Sequence, residues 1–186
     1  MSVTEPWRNP RPAPNLDEVR NRMSTASVLK ALLRAWWPAL VWAAVIFTLS
    51  TDAFSARHTG LVIEPILRWL FPSMSAEGLD LAHHFIRKGA HLTEYFIFFL
   101  LLYRGVRATR TTSRGWHTSS ALIAWFIAAA YSATDEIHQI FVPSRGPSPW
   151  DSLLDSTGAL IALFVLYLLY HRFLRARSAS FPGSDS

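Results

Sequence analysis

The sequence contains no cysteine, which excludes disulfides, thiolate metal sites and a cysteine nucleophile while leaving the compartment open. Charge is scarce as well: Asp, Glu, Lys and Arg make up 17% of 186 residues, against about a quarter in soluble domains. No H-E-x-x-H, G-x-S-x-G or phosphatase-like signature is present, so no standard hydrolytic motif offers itself. No secretory leader is recognisable either, because the first apolar run begins late and no small-x-small cleavage site follows it. Apolar residues dominate what is there. They reach 51%, with eight Trp and twelve Phe, a ring load expected where side chains meet a membrane–water boundary. Mean hydropathy is nonetheless only +0.19, because residues 1–27 and 176–186 are rich in Pro, Ser, Arg and Asn.

Apolar runs predict an all-α integral membrane bundle of about four transmembrane helices, over residues 34–52, 85–103, 119–140 and 152–171. The first helix is expected to begin a turn early, near Val28 or Ala31, with Pro38 close enough to its start for the missing N–H to matter little. Leu61 to Phe71 is too short to span and carries Glu64 and Arg68. It reads as a short interfacial or re-entrant segment in the first outer loop, broken by Pro65 and Pro72. Residues 1–27 are predicted to be a disordered cytoplasmic leader, 28–175 the transmembrane domain and 176–186 a disordered cytoplasmic tail. Thirteen of the 18 Lys and Arg fall before residue 35, in the 104–118 loop or after residue 171, which predicts an N-in, C-in protein of the cytoplasmic (inner) membrane. The pI near 10.1 is then topogenic charge, and no nucleic-acid partner is expected.

That topology gathers the polar residues of the spans at one level. Lys88, His91 and Glu94 fall at the outer end of the second span, Asp135, Glu136 and Gln139 at that of the third, and Asp151 and Asp155 at that of the fourth. At about 100° per residue, His84, Arg87, Lys88, His91, Glu94 and Tyr95 share an arc of roughly 120°. Tyr131, Ser132, Asp135 and Gln139 share a face with Glu136 at its edge, and Asp151, Asp155, Gly158 and Ala162 align. Gly158 and Ala162 at four-residue spacing suit close helix contact. Each ionisable group in a bilayer costs roughly 2.5–3.5 kcal/mol on insertion scales, so these must pair, face water or bind something. A packing cluster in which Lys88 pairs with Glu94 or Asp155 accounts for a few of them. Arg145, in the stiff Val142–Asp151 loop, is a natural anion ligand, and His91 and His138 are candidate ligands for a divalent metal ion.

The series Lys88, His91, Glu94 and Tyr95, then Asp135, Glu136, Gln139, Phe141, Pro143 and Arg145, then Asp151, Asp155 and Gly158 resembles the VanZ-like family over roughly residues 40–170. Where many relatives carry Asn, this chain has Asp155. The resemblance implies a small multi-span membrane protein of the cell envelope. Its name comes from a member associated with resistance to the glycopeptide antibiotic teicoplanin, and no reaction comes with it.

Three function classes stay open. One is a binder of an anionic envelope lipid or related ligand, with Lys88 and Arg145 on a phosphate, His91 donating a hydrogen bond, and the acids orienting these cations. Another is an intramembrane hydrolase of a lipid-linked phosphate, with Glu136 or Asp135 as general base and His91 as general acid. The third is an ion-coupled carrier, disfavoured because carriers place their site near the midplane.

Overall fold

A computed structural model describes residues 25–51, 55–110, 115–142 and 148–179. Among them are five helices and no strand: α1 Thr25–Leu49, α2 Ala56–Leu70, α3 Ala76–Arg110, α4 Thr118–Gln139 and α5 Pro149–Ala179. The chain divides into two units, Met1–Arg34 and Ala35–Ser186. The first is described only where it opens α1, and the second holds the core.

The core is built by setting large side chains against small ones. On α3, Tyr95, Phe98, Phe99, Leu102, Tyr103 and Val106 are buried, repeating every three or four residues as one helical stripe requires. The facing surface of α4 is small, with Ser120, Ala124, Ala128 and Ser132 at four-residue spacing and all fully buried. On α5 the buried positions are Asp155, Gly158, Ala159 and Ala162. In lipid no hydrophobic gradient drives helices together, so packing and interhelical hydrogen bonds must. A ring into an alanine groove maximises the first. Gly158 takes this furthest: a Cβ there would stand 2.5 Å from the Leu92 carbonyl oxygen of α3.

Three long side chains supply the second. Trp42 Nε1 of α1 donates to the Glu94 carbonyl of α3 (2.9 Å), and Trp125 Nε1 of α4 donates to the Ser156 carbonyl of α5 (3.1 Å). Tyr131 of α4 donates its hydroxyl to the Ala43 carbonyl of α1 at 2.7 Å. Removing only that hydroxyl, in Tyr131→Phe, is expected to lower stability by about 1 kcal/mol. Thermal unfolding in detergent reads this, and an unchanged midpoint would mean the bond contributes nothing.

Helix limits differ from those expected at several places. α1 is already helical at Thr25, so Ser27 and its neighbours leave the expected leader and Pro38 lies inside the helix. The missing N–H is tolerated in a helix of 25 residues tied to its neighbours, and Arg104 Nη1 donates to the nearby Ala35 carbonyl at 3.1 Å. α3 runs 35 residues, through Arg110 and well past the expected span, and α5 continues through residues 176–179. Pro65 does not break the amphipathic segment: α2 is continuous over 15 residues with Pro65 inside and stops before Pro72. An interior proline costs about 3 kcal/mol, yet helix remains the best use of a segment that buries Leu67 and pairs Arg68 with Glu64 at 2.7 Å. The remainder of the leader, residues 1–24, and the end of the tail, 180–186, lie outside the described residues.

Two helical stretches, Ser27–Leu49 and Pro149–Arg172, are long and apolar enough to cross a membrane. Both leave large apolar side chains uncovered, among them Leu40 and Val41 on α1 and Phe164 and Leu169 on α5. α3 and α4 are long enough as well, at 35 and 22 residues, but their charged and hydroxylated ends lower their mean hydropathy.

Candidate functional site

The buried stripe of α4 changes chemistry along its length. Past Ala128 the inward positions become Ser132, Asp135, Glu136 and Gln139, all buried. α3 changes in the opposite direction, from polar before Tyr95 to aromatic after it. α5 opens with Asp151 and Asp155 before its glycine and alanines. Along these three faces one end of the bundle is apolar and the other polar, and the side-chain bonds to Asp135, Glu136 and Asp155 lie at the polar end.

Asp135 is anchored from two sides. Ser50, at the end of α1, donates to its Oδ2 at 2.7 Å, and Gln139 Nε2 donates to the same oxygen at 3.0 Å. Glu136 accepts from the Ser148 backbone N–H at 2.8 Å. It lines a separate cleft with Ile137, Ile140 and Pro149. Asp155, fully buried, lies between α3 and α4, with Oδ1 3.3 Å from His91 Nδ1 and Oδ2 3.2 Å from Ser132 Oγ. Ser132 Oγ is also 3.0 Å from Ser152 Oγ. With one proton to give, it donates to the carboxylate and accepts from Ser152. Lys88 pairs with Asp151, not with Glu94 or Asp155, because Asp151 stands one turn nearer the start of α5, opposite Lys88 as Asp155 is opposite His91.

Several buried polar atoms have no hydrogen bond: Asp135 Oδ1, Glu136 Oε1, Asp155 Oδ1, His91 Nδ1 and the Tyr95 hydroxyl. Asp155 Oδ1 and His91 Nδ1 nevertheless face each other at ion-pair distance. The Tyr95 hydroxyl lies within electrostatic reach of Asp155, Asp135 and Ser132. Arg107 Nε and Ser120 Oγ, toward the other end of the bundle, are buried without a hydrogen bond as well. Native interiors leave few such groups unmade, and the density of them around Asp135, Glu136 and Asp155 makes this end the stronger candidate for binding or chemistry.

A cleft of about 140 Å³ opens beside it. Arg87, Ala90, His91 and Glu94 line it from α3, at the i, i+3, i+4, i+7 spacing of one helix face. Leu49 and Ser50 of α1 and Thr59 and Ile63 of α2 close it opposite. Arg87 is half-buried and makes no ion pair among the described residues; the acid bearing on it is Asp151.

The structure therefore brings Lys88, His91, Glu94, Tyr95, Asp135, Glu136, Gln139, Asp151 and Asp155 to one end of the bundle. It does not unite the two candidate metal histidines in a common site. His138 packs its ring on Phe47, with centroids 4.5 Å apart, whereas His91 faces Asp155. Among the described residues no group of three or more His, Cys, Asp or Glu is placed to hold a metal ion. His84 leaves the cluster for an exposed position beside Phe85, and its neighbour His83 meets Thr59 Oγ1 of α2 at 3.1 Å instead. Arg145 and Pro143 lie outside the described residues. Ser50 and Ser148 were not legible as partners of the acids. A hydroxyl at the end of an apolar run gives no sign of which helix it will meet, and a backbone N–H gives no sequence signal at all.

A helical membrane protein with a polar end on three of its helices and a cleft beside them is the class this architecture defines. The VanZ/LLP1 family model matches residues 35–170, which is the core unit almost entire, and the chain belongs to that family. Comparison with curated proteins and with solved structures returned no match.

Proposed function

We propose that this VanZ-family protein crosses the cytoplasmic membrane four times, N-in and C-in, and binds the anionic headgroup of an envelope lipid or a related anion in its outer cleft. Four spans are supported by length: at 1.5 Å per residue, α3 and α4 each exceed the roughly 30 Å of a hydrocarbon core. Orientation is supported by the Lys and Arg excess on the opposite side. In this topology α2 lies at the outer surface, where its exposed Trp69 and Leu61 meet the lipid boundary. A cysteine replacing Ser73 is expected to react with an impermeant thiol reagent from outside intact cells, and one replacing Arg110 only after permeabilisation. The reverse pattern would invert the topology.

The observation that carries the binding reading is Arg87 in the cleft. Lys88 is already neutralised by Asp151, so the anion ligand passes to its neighbour, whose guanidinium matches a phosphate in a bidentate fork. Arg145 joins it as a proposed second cation on the strength of the sequence alone. Leu49, Ile63 and Ile86 line the same cleft and suit the first methylenes of a lipid chain. Native mass spectrometry of gently purified protein is expected to show a co-purified phosphate lipid. Its occupancy should fall about 10-fold or more in Arg87→Gln, as for loss of a hydrogen bond to a charged group. Equal lipid in wild type and variant would refute this site. A link to glycopeptide resistance would follow only if that lipid belonged to the wall-precursor pathway on which such drugs act.

A further inference from the structure

The cleft holds more than an anion site needs. Asp155 is completely buried, its second oxygen is held by Ser132, and its first faces His91 Nδ1 at 3.3 Å. A carboxylate at ion-pair distance from Nδ1 favours the imidazole proton on that nitrogen and so a lone pair on Nε2. His91 also lines the cleft, one helical turn from Arg87 on one side and close to Glu94 on the other. A ring oriented by a buried acid, with a guanidinium one turn away, is the arrangement a phosphate-directed nucleophile requires. Arg87 would hold the equatorial oxygens where charge collects. A cavity near 150 Å³ accommodates a group as large as benzene, so about 140 Å³ admits a phosphoryl group and little more.

Building on the anion-binding reading above, we infer that the cleft is a phosphomonoesterase site for a long-chain lipid phosphate, with His91 as nucleophile, Arg87 as phosphate ligand and Glu94 as proton donor. In the first step the Nε2–P bond forms and the ester P–O bond breaks, and Glu94 gives its proton to the departing lipid alcohol. In the second step water attacks phosphorus, Glu94 takes its proton, and the Nε2–P bond breaks to release inorganic phosphate and restore His91. No oxidant or second substrate besides water is consumed. Asp155 and Ser132 are positioning residues that act through His91. Asp135 and Glu136, the acids suggested by the sequence as bases, stand apart: one is tied to Ser50 and Gln139, and the other lines the neighbouring cleft.

The test uses the full chain in nanodiscs with hexadecyl phosphate as probe, reading phosphate release, probe occupancy by native mass spectrometry and alkali-quenched phosphoenzyme. Wild type is expected to release phosphate and to trap an acid-labile, alkali-stable phosphoryl group on His91. His91→Gln should keep the probe bound and lose at least ~10²-fold in turnover. Arg87→Gln should lose both. Asp155→Asn should lower kcat with KM little changed, a split that simple misfolding does not produce. Soluble 4-nitrophenyl phosphate should turn over far more slowly, and equal turnover would overturn the lipid assignment. Probe bound without any phosphate release overturns the esterase inference and leaves the binding reading standing. Neither binding nor release overturns both.

Discussion

Gly158→Ala is expected to destabilise the bundle although alanine is the better helix former. The propensity gain is about 1 kcal/mol. Against it stands a Cβ 2.5 Å from the Leu92 carbonyl oxygen and 3.1 Å from the Leu92 Cα. Those are backbone atoms of a packed helix, so no rotamer change relieves the contact. α3 and α5 must separate, and overpacking of this kind typically costs 1–3 kcal/mol. The separation also loosens the His91–Asp155 contact, one turn away between the same two helices. Gly158→Leu should prevent accumulation of folded protein. Gly89→Ala is the control, because nothing lies within 4 Å of a Cβ there. It should leave the unfolding midpoint unchanged or raise it slightly, by the propensity gain alone. Equal midpoints for Gly158→Ala and wild type would mean that α3 and α5 do not approach as closely as the structure has them.

Asp155→Ala should have the larger effect of the two single-site changes. The carboxylate is fully buried and serves both His91 Nδ1 and Ser132 Oγ. Its removal leaves His91 Nδ1 without the acid it faces and Ser132 Oγ with Ser152 alone. Breaking a buried pair from one side typically costs 3–5 kcal/mol. Asp155→Asn keeps an oxygen able to accept from Ser132 and forfeits only the charge-assisted contact, so about 1.5–3 kcal/mol is expected. Unfolding midpoints in one detergent should therefore rank wild type, then Asn, then Ala. If Ala equalled wild type, Asp155 would be solvated rather than locked between helices.

The same residue shows how far the sequence could be read. Asp155 was recognisable as inward-facing because it aligns with Gly158 and Ala162, and the polar ends of α3 and α4 were recognisable in the same way. Periodicity reports the face of a helix. It does not report which helix that face meets or at what height. Lys88 and His91 both pointed toward acids on α5, yet only the axial offset of α3 against α5, set where Gly158 meets Leu92, gave Asp151 to the lysine and Asp155 to the histidine. That pairing removed Lys88 as the obvious anion ligand and left Arg87 in the cleft. Pro65 was misread for a related reason. Local chemistry argues for a break at an interior proline, and tertiary ties and burial of a neighbouring apolar stripe overrule it.

By itself, then, the sequence determined the helical class, the apolar stretches of α1 and α5, the family motifs and the inward faces of the polar helix ends. These depend on composition and on spacing along one helix, which the chain carries locally. Only the tertiary structure decided that Ser50 meets Asp135, that Ser132 and His91 share Asp155, and that His138 goes to Phe47 instead of joining His91. Those outcomes depend on the rotation and axial shift of one helix against another. Such shifts are set by where an aromatic ring finds an alanine groove or a glycine lets two backbones touch, and no single helix encodes them.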